Sequence, residues 1–496
     1  MGRSSSRHAR DGGGDGPSGG ARGLPRALAL TLASALVWGV AHFVTGRRVA
    51  GSLLLALYVA LAAVAAAAVT VYRSDLLHLA VQPDVLQRLS AALVALGVLW
   101  VLVVIRSYQI LRPLRMSISA RALGAASVAV LCFAVGVPVA WSAHSTYVYR
   151  DALTSIFRTG SENGKHVDTE DPFNGQARVN ILLLGGDSAS DRTGVRTDSM
   201  TVASVDTETG DTVLLSLPRN LERFPMPPGP ARDRFPYGFT GDGPLNPGLL
   251  NEVYEYAEQH PDVVPGVPKN HRGPELLKAT IAGVLGLRVD YYILVDMFGF
   301  ADIVDAMGGV KIKVTEPIPY GLQGAVLQPG YRTLKGKEAL WYGRSRTNSS
   351  DYVRMSRQKC LMRAIAEQAD PQTVLTSFDK LAAAAKRTLA TDIPQELLPA
   401  LVKLSNKVKN GAEIRSLQFV PPLIYTGNPD FKLIRKLASE AVNSDPRAVS
   451  APPSGGASGS PSASPDPTRS ESPGAPDGTS SPKPDTKPVS LEASCP

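Results

Sequence analysis

The chain is poor in the residues that build metal centres. It has 3 cysteines and 7 histidines in 496 residues, and the histidines are scattered. No Cys/His spacing of the zinc-binding kind occurs, which excludes a structural zinc site of that type. Cys132 sits in an apolar run and reads as a small core residue. Cys360 and Cys495 are left either as free thiols or as one disulfide formed outside the cell. The charge excess is small, 52 Lys+Arg against 44 Asp+Glu, or +8. Nucleic acid, anionic lipid headgroups and cell-wall polymers would each fit that balance. No helix-turn-helix pattern or basic groove helix appears, so nucleic acid is not an expected partner. No internal repeat is visible, and no small-residue cleavage site follows the first apolar run, so a cleaved signal peptide is not expected.

What is present divides the chain. Residues 1–23 are Gly, Ser, Arg and Asp without apolar period and read as a disordered cytoplasmic N-terminus. Apolar runs follow at 24–45, 49–72, 90–111 and 118–141. The last three are each long enough to cross a bilayer core, which takes about 20 residues. The first contains Pro25, Gly39 and His42, ends in TGRR, and reads as a partial or re-entrant segment. The loop 106–121 carries Arg106, Arg112, Arg115 and Arg121 with no acid, which places it in the cytoplasm. The loop 73–89 balances Arg73 and Arg88 with Asp75 and Asp84 and is free to face out. Everything after Trp141 is then extracytoplasmic on a multi-pass cell-membrane protein. Residues 142–177 read as a stalk, 178–443 as a globular domain, and 444–496, rich in Pro, Ser and Gly, as a disordered tail.

Within the globular part, RVNILLLGGDS reads as a buried strand ending in a Gly-Gly turn, and SMTVASVDTETGDTVLLSLPRN as a hairpin with TETGD at its tip. Residues 274–286 have helical spacing. DYYILVDM, FGFADIVDAM and GGVKIKV read as strand, helix and strand, the signature of an α/β sheet with crossovers. Residues 336–344, 352–369 and 371–408 read as helices.

Three stretches carry chemistry. The segment 341–358, WYGRSRTNSSDYVRMSRQ, sets Arg344, Arg346, Arg354 and Arg357 around one acid, Asp351. Guanidinium groups repel one another, and their planar fork matches phosphate oxygens two at a time, so the cluster asks for a phosphate. Arg354, Arg357 and Gln358 share a helix face at spacings of three and four. Arg344 and Arg346 alternate in an extended stretch and point the same way. The alternative is a solvated basic face laced by Asp351. In GGDSASDRTGVRTDS, residues 185–199, a strand presents Asp187 at its carboxyl end and Asp198 returns just before the next strand. Two such carboxylates suit a hard cation such as Mg²⁺; the alternative is a polar loop in which Asp198 pairs with Arg196. In SLPRN, residues 216–220, Arg219 follows a strand ended by proline and gains weight only if it converges with the other arginines. The apolar helices 274–286, 298–307 and those after Tyr352 are core or line a greasy pocket.

In their order and spacing, NILLLGGDS, RTDSM, SLPRN, LNEVYEYA, DYYILVDMFGFADIVDAMGGV, LQPGYRTLKGKEALWYGRSR and DYVRMSRQ resemble the LytR-CpsA-Psr family of cell-wall glycopolymer ligases, over about 178–368. The anchor, outer domain and tail are similar to actinobacterial members. The resemblance implies an α/β/α sandwich with a central mixed sheet and a hydrophobic pocket for a polyprenyl chain, preceded here by an all-α transmembrane region. It implies a phosphotransferase that moves a glycopolymer from a polyprenyl pyrophosphate carrier onto peptidoglycan, releases polyprenyl phosphate and uses Mg²⁺. By position it carries metal ligation to Asp187 and Asp198. It carries pyrophosphate binding to Arg196, Arg219, Arg344, Arg346, Arg354, Arg357 and Gln358, with Arg219, Arg344, Arg346 and Asp351 at the chemistry. Asn220 stands where the family has Asp, and Leu249 where it has Lys. Two rivals stay open: a polyprenyl pyrophosphate hydrolase, and, because of those departures, a non-catalytic protein that binds lipid-linked polymer or the wall.

Overall fold

The computed structural model describes residues 19–70, 82–113, 116–157, 167–168, 171–187, 195–243, 247–321, 324–347, 349–368, 384–386, 388–409, 411–444 and 486–495. Residues 1–18, 188–194, Arg115, residues 369–383 and most of the tail lie outside this set, and with them the expectations that fell there. The chain divides into two compact units, 1–151 and 152–496.

The first unit is helical. It comprises α1 (Gly19–Leu36), α2 (Val40–Val44), α3 (Arg48–Thr70), α4 (Pro83–Leu111) and most of α5 (Ile118–Ile156). Among the described residues, α3, α4 and α5 are long and apolar enough to cross a membrane. Most of their apolar surface is unburied, as expected of helices whose solvent is lipid. The helix α5 runs on past Trp141 to Ile156, so the first part of the expected stalk continues the last apolar helix. Within this unit α1 lies antiparallel to α4. Gly23 is beside Pro113, and the Trp100 indole Nε1 donates to the Ala35 carbonyl at 2.9 Å. The first apolar run breaks at Gly39, which adopts φ 99°. A Cβ there would stand 2.4 Å from the Gly51 carbonyl oxygen, so only glycine permits this turn against α3.

Among the described residues, the second unit is built on a seven-stranded mixed sheet of order β11-β10-β3-β2-β1-β4-β9. Its strands are β1 (Arg178–Asp187), β2 (Arg196–Asp206), β3 (Thr212–Leu217), β4 (Tyr291–Asp296), β9 (Leu389–Thr391), β10 (Ile414–Gln418) and β11 (Val489–Ser490). The hairpin β2–β3 is antiparallel, and its tip is an Asx turn in which Asp206 Oδ1 accepts from the Glu208 and Thr209 amides. The strand period of two divides β1 between the faces. Leu182 and Leu184 join a core with Leu277, Ile281 and Ile434. Val179, Ile181 and Leu183 join another with Leu214, Leu404 and Leu491. Burying both faces is why these strands read as continuous apolar runs. Each fully buried Leu or Ile contributes roughly 1.5–3 kcal/mol.

The longer helices of this unit among the described residues are α6 (Val253–Gln259), α7 (Arg272–Leu285), α8 (Met297–Ala306), α9 (Gly336–Arg344), α10 (Asp351–Gln368), α11 (Leu398–Lys409) and α12 (Phe431–Asn443). The α/β character and the central mixed sheet agree with expectation. Three local expectations do not. The strand after α8, β5 (Val310–Val314), is not the crossover partner of β4. Gly308 and Gly309, at φ 87° and 101°, turn the chain out of the sheet, and β5 pairs instead with β8 (Gly330–Leu334). A second small ribbon joins β6 (Ile318–Tyr320) to β7 (Ala325–Leu327). The parallel neighbour of β4 is β1. Residues 371–408 are not helical throughout, since β9 interrupts them to pair with β4. Finally, the tail returns to the fold at its end: β11 adds to β10, Leu491 is buried, and Cys495 is disulfide-bonded to Cys360 on α10.

Candidate functional site

The site begins with a fault in a strand pairing. Gly185 faces Ser199 and Gly186 faces Thr197, so Asp198 is the extra residue of a β-bulge. A bulge re-aims the residue it leaves unpaired, and Asp198 is turned into the wall of a cavity. Gly186 is held to glycine by crowding, because a Cβ would stand 2.7 Å from Val195 Cγ1. Asp187 closes β1 opposite Arg196, one step from the bulge; its side chain is not among those described.

Arg219 arrives from the next strand. Pro218 ends β3, and the Arg219 carbonyl accepts from the Asn251 amide at 3.0 Å, which fixes the backbone beside the bulge. Its guanidinium Nη1 is bonded to Asp198 Oδ1, and its Nε lies 3.3 Å from Asp351 Oδ1. Asp351 opens α10 and takes a forked pair of bonds from Arg354, one helical turn on, at 3.1 Å each. Arg354 Nη1 then donates to the Asp198 carbonyl at 2.9 Å. Asp198, Arg219, Asp351 and Arg354 thus form a closed circuit that ties β2, the end of β3 and α10 together. Arg354 is almost fully buried, with 3% of its surface exposed. Burial alone would raise the Asp351 carboxyl, but the Arg354 hydrogen bonds and the charges of Arg354, Arg219 and Arg346 outweigh it and hold it below the usual carboxylate range.

This circuit stands at a cavity of about 770 Å³. Arg196, Asp198, Arg219, Arg344, Arg346, Arg354 and Gln358 line it. Arg196 lies 3.6 Å from Glu255, and Arg344 lies 5.9 Å from the Trp341 ring centroid. Gln358 donates to the Gly343 carbonyl at 3.0 Å. A second wall is apolar, made by Leu183, Ile293, Val295, Phe300, Leu361 and Met362. The greasy lining therefore comes from β1, β4, α8 and α10. Helix α7, which was a candidate, instead packs into the core with Leu277 and Ile281. A third wall is polar and consists of Asn220, Asn251 and Glu252, with Leu249 beside them.

Two expected site residues sit elsewhere. Arg357 does not line the cavity. Its Nη2 donates to the Ser345 carbonyl at 2.8 Å and to Ser349 Oγ at 2.7 Å, and its Nη1 to the Tyr342 carbonyl at 3.4 Å. At spacings of four, Arg354 and Gln358 share the cavity face; Arg357, three on from Arg354, faces the 345–349 loop and pins it. Asp351 is not in the cavity wall either; it stands behind the two arginines it joins. Nor is it their single counter-charge, since Asp198 bonds Arg219 and Glu255 lies near Arg196. Arg219 and Arg196 lie outside 341–358; within that segment, among the described residues, Asp351 is the acid bonded to an arginine of the cluster, Arg354. Asn251 and Glu252 were missed because a short polar step before a helix carries no periodic signal.

The fold and site together define an α/β domain with three membrane-length helices before it among the described residues, and with arginines held by carboxylates in the wall of a partly apolar cavity. The sequence profile of the LytR_cpsA_psr family matches residues 147–422, more than half of the chain, and the chain belongs to that family. Among curated proteins it is similar to the polyisoprenyl-teichoic acid–peptidoglycan teichoic acid transferase TagU of Oceanobacillus iheyensis. The identity is 27%, covering 51% of this chain and 70% of that one. It is also similar to the probable cell wall biosynthesis protein LcpB of Corynebacterium glutamicum, at 30% identity over 47% of this chain and 46% of that one. Among solved structures, B. subtilis TagV superimposes with a TM-score of 0.39 at 22% identity, covering 54% of this chain and 98% of that one.

Proposed function

We propose that this protein is a membrane-anchored phosphotransferase that moves a glycopolymer from a polyprenyl pyrophosphate carrier onto peptidoglycan and releases polyprenyl phosphate. The observation that carries the reading is the junction of the Asp198–Arg219–Asp351–Arg354 circuit with an apolar cavity wall. A diphosphate joined to a long hydrocarbon needs both surfaces side by side. The name of the TagU relative, a transferase acting between a polyisoprenyl-linked polymer and peptidoglycan, supports the same substrates.

In this scheme Arg219, Arg344, Arg346 and Arg354 hold the non-bridging oxygens of the diphosphate. Asp351 acts as a positioning residue: it sets Arg219 and Arg354 before substrate arrives, so little reorganisation is needed as charge develops. A sugar hydroxyl of peptidoglycan attacks the phosphorus that carries the glycopolymer. The bond from that phosphorus to the bridging oxygen breaks, polyprenyl phosphate leaves, and the hydroxyl proton passes to solvent. Arg357 acts at a distance by fixing the loop that carries Arg346. Asp198 at the bulge and Asp187 one step away are the carboxylates that would hold Mg²⁺, a cation that takes few protein carboxylates and fills its shell with water and phosphate oxygens. When bound it would neutralise charge on the diphosphate. In this reading the N-terminus and the basic 106–121 loop are inside and the domain after Trp141 is outside, as the positive-inside rule favours.

The test is transfer by the purified full-length protein, with carrier-linked polymer as donor and peptidoglycan as acceptor. Arg219→Ala and Arg354→Ala should each abolish most transfer while the protein remains folded by circular dichroism. Full transfer by either variant would overturn the scheme, and polymer release that is the same without peptidoglycan would make the protein a hydrolase.

A further inference from the structure

The third wall of the cavity has a chemistry that a diphosphate does not want. Asn251 is 8% exposed, and its side-chain Oδ1 accepts no hydrogen bond among the described residues. Asn220 Oδ1 is likewise buried and unpartnered, while its Nδ2 donates to Thr426 Oγ1 at 3.3 Å. Both residues line the cavity, and they adjoin, because the Asn251 amide bonds the Arg219 carbonyl. Glu252 lies beside them, with Oε2 accepting from the Gly248 and Leu249 amides at 2.9 and 3.2 Å. An orphaned buried acceptor is costly, and native folds keep few of them. Two adjacent ones on residues of a cavity wall, beside the Glu252 carboxylate, are acceptors that no donor meets among the described residues. The wall fits a neutral ligand that brings its own O–H or N–H groups.

We propose that Asn220 and Asn251 form a carbohydrate subsite that receives sugar hydroxyls next to the diphosphate seat. This rests on the reading of the domain as a transferase of carrier-linked glycopolymers and adds which residues recognise sugar. The hydroxyls can belong to the acceptor glycan or to the first sugar on the carrier. The chemistry is the same, and both positions adjoin the reacting phosphorus.

The experiment uses the full-length protein in detergent and three probes: polyprenyl pyrophosphate without sugar, polyprenyl pyrophosphate bearing a disaccharide, and a soluble uncross-linked peptidoglycan glycan fragment. Asn220→Ala and Asn251→Ala should each weaken binding of one sugar-bearing probe about tenfold, the equivalent of one hydrogen bond, and leave the sugarless lipid bound as before. Loss on the glycan fragment assigns the subsite to the acceptor. Loss confined to the disaccharide carrier assigns it to the donor sugar. Asn251→Asp keeps the shape and the acceptor oxygens and should retain most of the affinity, which separates recognition from collapse of the wall. The proposal is overturned if the sugarless lipid loses affinity equally, if the Mg²⁺ concentration for half-activation shifts instead, or if neither sugar probe responds. A wild-type protein that ignores the sugarless lipid, yet loses glycan affinity in the variants, would sink the transferase reading and keep this one.

Discussion

Asp351 is where orienting and proton-accepting roles can be separated. Asp351→Asn keeps the side-chain shape but removes the charge that joins two guanidinium groups. Three contacts depend on that charge: Arg219 Nε at 3.3 Å, and Arg354 Nε and Nη2 at 3.1 Å each. The asparagine can offer one acceptor oxygen, and its amide N–H₂ meets a guanidinium donor to donor. Removing one partner of a buried pair costs roughly 3–5 kcal/mol. The Asp351 side chain is 18% exposed and Arg354 keeps its bond to the Asp198 carbonyl, so the lower end applies, about 3 kcal/mol. At about 2–4 °C per kcal/mol for a domain of this size, Tm should fall by roughly 6–12 °C. Differential scanning fluorimetry of the full-length protein in detergent measures this. Inorganic pyrophosphate should recover part of the loss, because it supplies the missing counter-charge to Arg219 and Arg354. A variant that melts within about 1 °C of wild type, yet has lost transfer, would refute the positioning role and make Asp351 the base.

The pH dependence has a definite sign. The folded Asp351 carboxyl is held below its ordinary value of 3.8, so its contribution is fully present above that value and is lost as pH falls through the lower folded one. The Tm gap between Asp351→Asn and wild type should therefore stay constant from about pH 5 to 8 and close only below about pH 4. The Cys360–Cys495 bond closes a span of 135 residues, for which chain entropy sets a ceiling of about 5 kcal/mol; Cys495→Ser should lower Tm and make it insensitive to reductant, whereas wild type should lose stability on reduction. Gly336→Ala would put a Cβ 2.0 Å from the Ala301 carbonyl oxygen where α8 and α9 cross. Urea titration should show a loss of at least about 2 kcal/mol from overpacking.

The legible parts of this chain are those with a period. NILLL and the hairpin through TETGD declare themselves by alternation and a turn, and they became β1, β2 and β3. Arg219 and Arg354 were legible as residue types suited to phosphate, but periodicity could not pair them, because 135 residues separate them and it is the bonds through Asp198 and Asp351 that bring them together. The return of the tail was hidden in composition. Only Val489 and Leu491 stand out after a long Pro/Ser/Gly stretch, and their places depend on the edge of β10, which pairs Val489, and on the cluster with Leu404 that buries Leu491. The role of Arg357 was lost to averaging, since helical spacing alone groups it with Arg354 and Gln358, while one turn of α10 divides their faces.

The site's geometry follows from that same division of labour along α10. The helix begins with Asp351, sends Arg354 and Gln358 into the cavity, turns Arg357 to the loop behind, and presents Leu361 and Met362 to the apolar wall. Between the last polar and first apolar lining residues lie Lys359, bonded to Ser494, and Cys360, tied to Cys495. Arg363 also donates to the Leu491 carbonyl at 2.9 Å. The end of the chain therefore grips α10 at the point where its inner face changes from charge to hydrocarbon. Under the proposed function α10 would hold a diphosphate and a greasy chain in one register, and it gains from such an external hold because rotation about its axis would move both surfaces at once. The clasp and the Asp351 bridge restrain the same motion from opposite ends of the lining face. Their losses should consequently be coupled: the double variant Asp351→Asn/Cys495→Ser should lose more transfer than the product of the single losses.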